Sequence, residues 1–258
     1  MTEVTGTGDP ARSMALLWRD HEPAPRGRGA AAGLSVDRVV GAAVAVADAE
    51  GIGALSIRRV ATELGVGAMS LYTYVPGKGE LLDLMVDAVL GELPALVGDL
   101  DPDDWRARLE AVARGNWALF ERHPWLLQVG ASSRPPLGPN VMAKYELELR
   151  AVDGTGLGEV EMDAVVTLVN GFVAGAARGV VEQAQAGAAS GTSELEWWRA
   201  TEPFVARVFD PERYPTVARV GPVAGEAQQA AYDPRRAFEF GLGRLLDGVA
   251  VLVRRANA

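Results

Sequence analysis

The stretch SIRRVATELGVGAMSLYTYVPGK, residues 56–78, gathers the side chains best suited to holding nucleic acid. Ser70, Tyr72, Thr73 and Tyr74 place four hydroxyls within five positions, and Lys78 follows at the start of the next helical run. Hydroxyls and an ammonium group suit phosphate oxygens, and the free backbone N–H groups of a helix start add to the cation. Arg58, early in the preceding helix, suits a guanine edge or a phosphate. A purely structural helix has little use for so many polar groups in succession.

A second set of residues suits an apolar ligand. Trp117, Phe120, His123, Trp125 and Leu126 fall close together. Met142, Tyr145 and Phe172 follow, and then Trp197, Trp198 and Phe204. Such side chains line pockets between helices, although each one taken singly is equally at home in a plain core.

Enzyme chemistry is thinly represented. His21 and His123 are far apart and there is no cysteine, so no nucleophile–base pair or metal cluster is expected, and no cofactor. Asp101, Asp103 and Asp104 stand at a helix start, where acids stabilise the dipole, and read as a cap. GVGAMS lacks the strand and the lysine of a phosphate loop.

Helices must position these groups. Ser35 starts one as an N-cap type, and Val36, Val40, Ala43, Val44 and Ala47 recur at helical spacing up to Gly51. Ser56 caps the next, in which Ile57, Val60, Ala61 and Leu64 form one stripe before Gly65. A short helix over 68–74 ends before Pro76. Another begins near Lys78, with Leu82, Met85, Val89 and Leu93 on one face. Two short helices about a tight glycine turn make a helix-turn-helix, whose second helix enters the major groove with Ala68, Met69 and Ser70 leading. The shape alone does not separate a DNA reader from an ordinary helix pair.

Further helices are predicted over 103–122, 124–131, 139–152, 158–187, 194–208 and 234–255, which makes the fold all-α. Residues 187–193 read as a flexible link. Residues 209–233, with Pro211, Pro215, Gly221, Pro222 and Gly225, read as a long loop. Three parts are expected: a flexible N-terminal extension over 1–33, a helix-turn-helix domain over 34–78, and a ligand-binding and dimerisation domain over 79–258. Arg26 and Arg28, in the extension, are placed as a minor-groove arm.

The net charge of −9 is unevenly spread. Residues 1–78 hold eight Lys/Arg and eight Asp/Glu, whereas residues 79–258 hold 17 and 26. An acidic body repels DNA and helps orient a neutral head. No run is read as approaching the roughly 20 apolar residues of a bilayer span, and the N-terminus lacks the apolar core of a secretory signal. A cytoplasmic protein without a membrane partner is expected.

The span Leu34–Leu93, with AEGIGALSIRRVATELGV and SLYTYVPGKGELLD, resembles the DNA-binding domain of the tetracycline-repressor (TetR) family. RHPWLLQVG, RPP and AFEFGLGRLLDGVAVL look like the C-terminal domain of the tetracycline repressors. The resemblance implies that Ser56 and Ile57 lie near the DNA backbone and Arg58 near a base. Ala68, Met69 and Ser70 would face bases, with Tyr72, Thr73 and Lys78 on phosphates. It also implies a homodimer through the helices near 158–187 and 234–255. The helix over 79–93 would act as a pendulum between ligand and DNA. His123 matches a ligand-contacting histidine, and Tyr145 stands near a drug-contacting asparagine. Gly171 replaces the magnesium-binding histidine, so the implied effector is a mainly apolar or aromatic molecule in place of magnesium–tetracycline. The alternative is a helical small-molecule-binding protein or enzyme without a DNA role.

Overall fold

The computed structural model describes residues 3–20, 33–130 and 134–258. Twelve helices are found among them: α1 (Pro10–Leu17), α2 (Val36–Glu50), α3 (Ile57–Leu64), α4 (Ala68–Leu71), α5 (Lys78–Leu90), α6 (Leu93–Val97), α7 (Trp105–Arg122), α8 (Pro139–Arg150), α9 (Glu159–Ser190), α10 (Glu194–Val208), α11 (Pro215–Gln228) and α12 (Pro234–Ala256). Two-residue strands β1 (Glu3–Val4) and β2 (Val129–Gly130) pair in parallel. The fold is all-α, as the apolar periodicity implies.

The chain divides into two compact units, Met1–Ala174 with Leu246–Ala258, and Gly175–Leu245. The division does not fall at 78/79, where the sequence suggested a boundary. Lys78 opens α5, and α5 packs on α1, α2 and α8 within the first unit. The core of that unit joins Val39, Val40 and Ala43 of α2 to Val60 and Ala61 of α3, Leu81, Leu82 and Met85 of α5, and Trp125 and Leu126.

Three expectations need correction. Residues 3–17 are built into the fold, contrary to a flexible extension. Asp9 caps α1 through the Arg12 amide at 2.9 Å, Pro10 fits its first turn, and α1 packs on α5. Arg26 and Arg28 lie outside the described residues. Residues 209–233 are not a loop: Pro215 opens α11, where its missing N–H costs nothing, and Pro222 is carried inside the helix. The link at 187–193 is shorter than expected, because α9 runs to Ser190 before Gly191 turns at φ +67°.

α9 also corrects the reading of hydropathy. Over its most apolar 18 residues it averages 1.6, long and apolar enough to cross a bilayer by composition. A third of that window is buried, and Val165, Val166, Val169 and Val173 are among the protein's core residues. A core helix passes the same test.

Asp87 on α5 shows how the buried polar side of that helix is used. Its carboxylate accepts from the Asn140 amide at 3.1 Å, the Val141 amide at 2.9 Å and Asn140 Nδ2 at 3.1 Å, at the start of α8. Burial nevertheless pushes its pKa above the ordinary aspartate value, outweighing those bonds and the nearby Arg19 charge. A raised pKa gives stability that is present in acid and lost as pH rises through the folded-state value. We therefore expect the stability difference between wild type and Asp87→Asn, from urea unfolding at a series of pH values, to shrink as pH climbs just above the ordinary carboxylate range. A difference that grows with pH would mean that the hydrogen bonds outweigh burial.

Candidate nucleic-acid interface

The DNA-facing candidates are positioned by α3, α4 and the start of α5. Ser56 caps α3, its Oγ accepting from the Arg59 amide at 3.1 Å. Ile57, Val60 and Ala61 turn into the core. Gly65 ends α3 at φ +67°, ψ 30°, a conformation that costs a side-chain-bearing residue roughly 1–2 kcal/mol. Its N–H bonds the Thr62 carbonyl, and the Val66 N–H bonds that of Ala61. α4 then leaves on a new course, anchored by fully buried Leu71 and, just past its end, Val75.

This anchoring sets the outward face. Met69 is 79% exposed, and Ser70, Tyr72 and Thr73 are exposed beside it. Ser56 and Arg58 are exposed on α3, and the Arg58 guanidinium has no partner among the described residues. Ala68 and Tyr74 are half-buried and pack against the core, so their polar or small character serves the fold as well as the surface. Ile57 is buried, which leaves only its backbone to face outward. Lys78 is half-buried, and its Nζ lies 2.8 Å from Glu3 Oε1.

Arg59 illustrates what sequence reading missed. It pairs with Glu50 at the end of α2 and, at 3.0 Å, with Glu63 one turn along α3. The Glu50 hydrogen bond, then the Glu63 bond, raises the arginine pKa, and the same Arg59 bond lowers that of Glu50. Arg59 therefore links the end of α2 to α3, while its neighbour Arg58 faces outward.

The ligand candidates do not converge on one described cavity. His123 and Trp125 both turn to Asp48 of α2. His123 Nδ1 donates at 2.8 Å and Trp125 Nε1 at 2.7 Å to the same Asp48 oxygen. His123 Nε2 is buried, 3.3 Å from Glu92 Oε1, without hydrogen-bond geometry. His123 is thus committed to a contact with α2, a role that the resemblance did not imply. Trp117 is buried in α7, and Phe120 and Leu126 belong to the first unit's core or pack against it. Met142 and Tyr145 are exposed on α8, the Tyr145 hydroxyl donating to Asp163 at 2.7 Å. Phe172 is half-buried on α9.

Trp197, Trp198 and Phe204 lie on α10, in the second unit. There an open cavity of about 380 Å³ runs between α10 and α11, lined by Leu195, Trp198, Arg199, Glu202, Pro222 and Glu226 among others. Of the ligand candidates only Trp198 lines it. Gly171 supplies no metal ligand, and a Cβ placed there would meet nothing within 4 Å. Asp104 caps α7 through the Ala107 amide, and Asp101 accepts from the Asp103 amide, so this acidic run serves the helix start. Also unforeseen is a buried network in the first unit. Glu148 accepts from Asn116 at 3.0 Å, Asn170 at 3.2 Å and Lys144.

The comparisons with known proteins agree with this geometry. Residues 39–85 match the profile of bacterial regulatory proteins of the tetR family, and residues 97–253 that of the tetracyclin repressor-like C-terminal domain. The HTH-type transcriptional repressor DrrR1 of Streptomyces coeruleorubidus is 48% identical over 254 residues, covering 98% of this chain and 90% of that protein. Apo ActR from Streptomyces coelicolor superposes with a TM-score of 0.69 at 30% identity, covering 88% of this chain and 100% of the other. ActR in complex with actinorhodin gives the same TM-score and identity, over 86% of this chain and 99% of the other. With its exposed α4 face, its helical body and these matches, the chain belongs to the tetR family of bacterial regulatory proteins, and is a DNA-binding transcriptional regulator and not an enzyme.

Proposed function

We propose that the protein is a cytoplasmic repressor that binds a palindromic operator as a homodimer and is released by a mainly apolar or aromatic small molecule. The carrying observation is the outward set Arg58, Met69, Ser70, Tyr72 and Thr73, held by the buried anchors Val60, Leu71 and Val75. In this reading Ala68, Met69 and Ser70 meet base edges, while Ser56, Tyr72, Thr73, Tyr74 and Lys78 hold the backbone.

Dimerisation through α9 and α12 is supported by the apolar side chains these helices leave uncovered. Leu168 of α9 and Phe240 and Val251 of α12 are exposed, close to buried Val169, Leu242 and Val249. A second copy covering them also supplies the second head that a two-fold operator needs. The effector class is supported by the aromatic residues of the helical body and by ActR, whose complex with actinorhodin shares this fold. A ligand that prefers a conformer with misplaced heads by about 4 kcal/mol lowers DNA affinity roughly 1,000-fold.

The test is selection of bound duplexes from a library of randomised palindromes, followed by displacement with actinorhodin as the probe ligand. The reading expects one enriched two-fold site and loss of that complex on adding the probe or a related aromatic compound. Binding without any preferred site would overturn it.

A further inference from the structure

Residues 3–17 are held against α5 by two acids that sequence patterning assigns to a solvent face. Glu80 and Asp83 are only 6% and 2% exposed. Glu80 Oε1 accepts from the Asp9 amide at 2.9 Å. Asp83 Oδ1 accepts from the Gly6 amide, and Asp83 Oδ2 from the Ser13 hydroxyl, both at 2.8 Å. Backbone meets backbone here: a side chain on Gly79 would come within 2.6 Å of the Gly8 nitrogen. The other edge of the segment is tied down too. β1 pairs with β2, and the Thr5 hydroxyl donates to the Arg134 carbonyl at 2.7 Å. Buried acids lose their water and need such partners, so the segment's seat is fixed and specific.

This seat delivers Glu3 to the first residue of α5. Its Oε1 lies 2.8 Å from Lys78 Nζ, with both side chains partly open to solvent. Lys78 is the only lysine in residues 1–78. On the DNA reading it faces a phosphate. A carboxylate at that distance already satisfies the charge that the phosphate would take, and repels the phosphate as it approaches. A free surface glutamate would swing aside at little cost. Glu3 is itself one of the two paired strand residues and stands three positions before Gly6, whose amide the buried Asp83 holds, so it returns to Lys78 whenever the cation is bare.

We propose that Glu3 is a built-in competitor for the DNA phosphate at Lys78, held in place by the docking of residues 3–17 on Glu80 and Asp83. The N-terminal segment thereby lowers affinity for DNA. This inference rests on the assignment of Lys78 to a phosphate, and the experiment keeps the two apart.

The full chain is titrated against a fluorescent mixed-sequence duplex by anisotropy, between about 50 and 200 mM salt, because the contact concerns phosphate and not sequence. Glu3→Gln keeps the shape of the side chain and removes its charge. It should tighten binding about 2- to 5-fold per head, the range of an exposed ion pair. It should also steepen the salt dependence by up to roughly one released ion per head. Lys78→Met should weaken binding and flatten the salt slope, and adding Glu3→Gln to it should bring a smaller gain than in the wild type, since only the direct repulsion of the phosphate is left to relieve. If Lys78→Met weakens binding while Glu3→Gln leaves it unchanged or weaker, the competitor is refuted and the phosphate assignment stands. If Lys78→Met changes neither affinity nor slope, both fail.

Discussion

Replacing Trp125 by Ala should destabilise the first unit by about 3–5 kcal/mol, the usual cost of emptying a large aromatic site. Trp125 is 1% exposed and belongs to the core shared by α2, α3 and α5. Thermal unfolding should move down on the order of 10 °C. The companion variant Trp125→Phe separates packing from polarity. It fills most of the site but deletes the 2.7 Å bond to Asp48, which should cost about 1–2 kcal/mol. Because Asp48 also takes the His123 Nδ1 bond, Trp125→Phe and a His123 variant should not be additive. If Trp125→Ala unfolds within about 1 kcal/mol of wild type, far below the usual cost of such a cavity, the docking of α2 on the 123–129 turn is misplaced.

Ser70→Asp should leave stability unchanged and lower operator affinity about 100-fold or more. Ser70 is exposed and makes no contact that folding needs, so an acid there costs little in the free protein. On the proposed reading, in which α4 of two copies enters the groove, the same carboxylate would meet phosphates and base acceptors in both heads, and like charges so placed cost several kcal/mol. Circular dichroism melting and anisotropy on the selected duplex report the two quantities. Equal loss of melting temperature and affinity would assign Ser70 to the fold, and unchanged affinity would remove α4 from the interface.

Much of this was legible in the sequence because local rules and tertiary packing agree over residues 34–93. Ser56 and Gly65 bound α3 as cap and stop, and the Ile57–Val60–Ala61 stripe is the face that the structure buries. α5 is where the reading ran out. Its Leu82–Met85–Val89 stripe is buried, but so are Glu80, Asp83 and Asp87 on the opposite side. A polar stripe reads as solvated unless one knows which segments cover it, and the covers, residues 3–17 and the start of α8, lie far away in sequence. Two signals were present but unused. Asp48 and Glu50 sit in the last turn of α2, where an acid opposes the helix dipole and therefore asks for a specific partner. Both have one, in the His123–Trp125 pair and in Arg59. α11 was hidden by composition, since Pro215 and Pro222 with two glycines outweigh a modest apolar stripe. The effector site was the least legible part, because aromatic residues such as Trp117 and Trp125 serve a core and a pocket with the same chemistry.

Hydroxyl-radical footprinting on the selected duplex shows whether two heads grip the DNA together. Two protected patches on one face of the DNA, about one helical turn apart, are expected. Both should be lost together in Ser70→Asp and on addition of a displacing aromatic ligand. Protection that survives Ser70→Asp, or a single unpaired patch, would contradict a two-headed grip through α4.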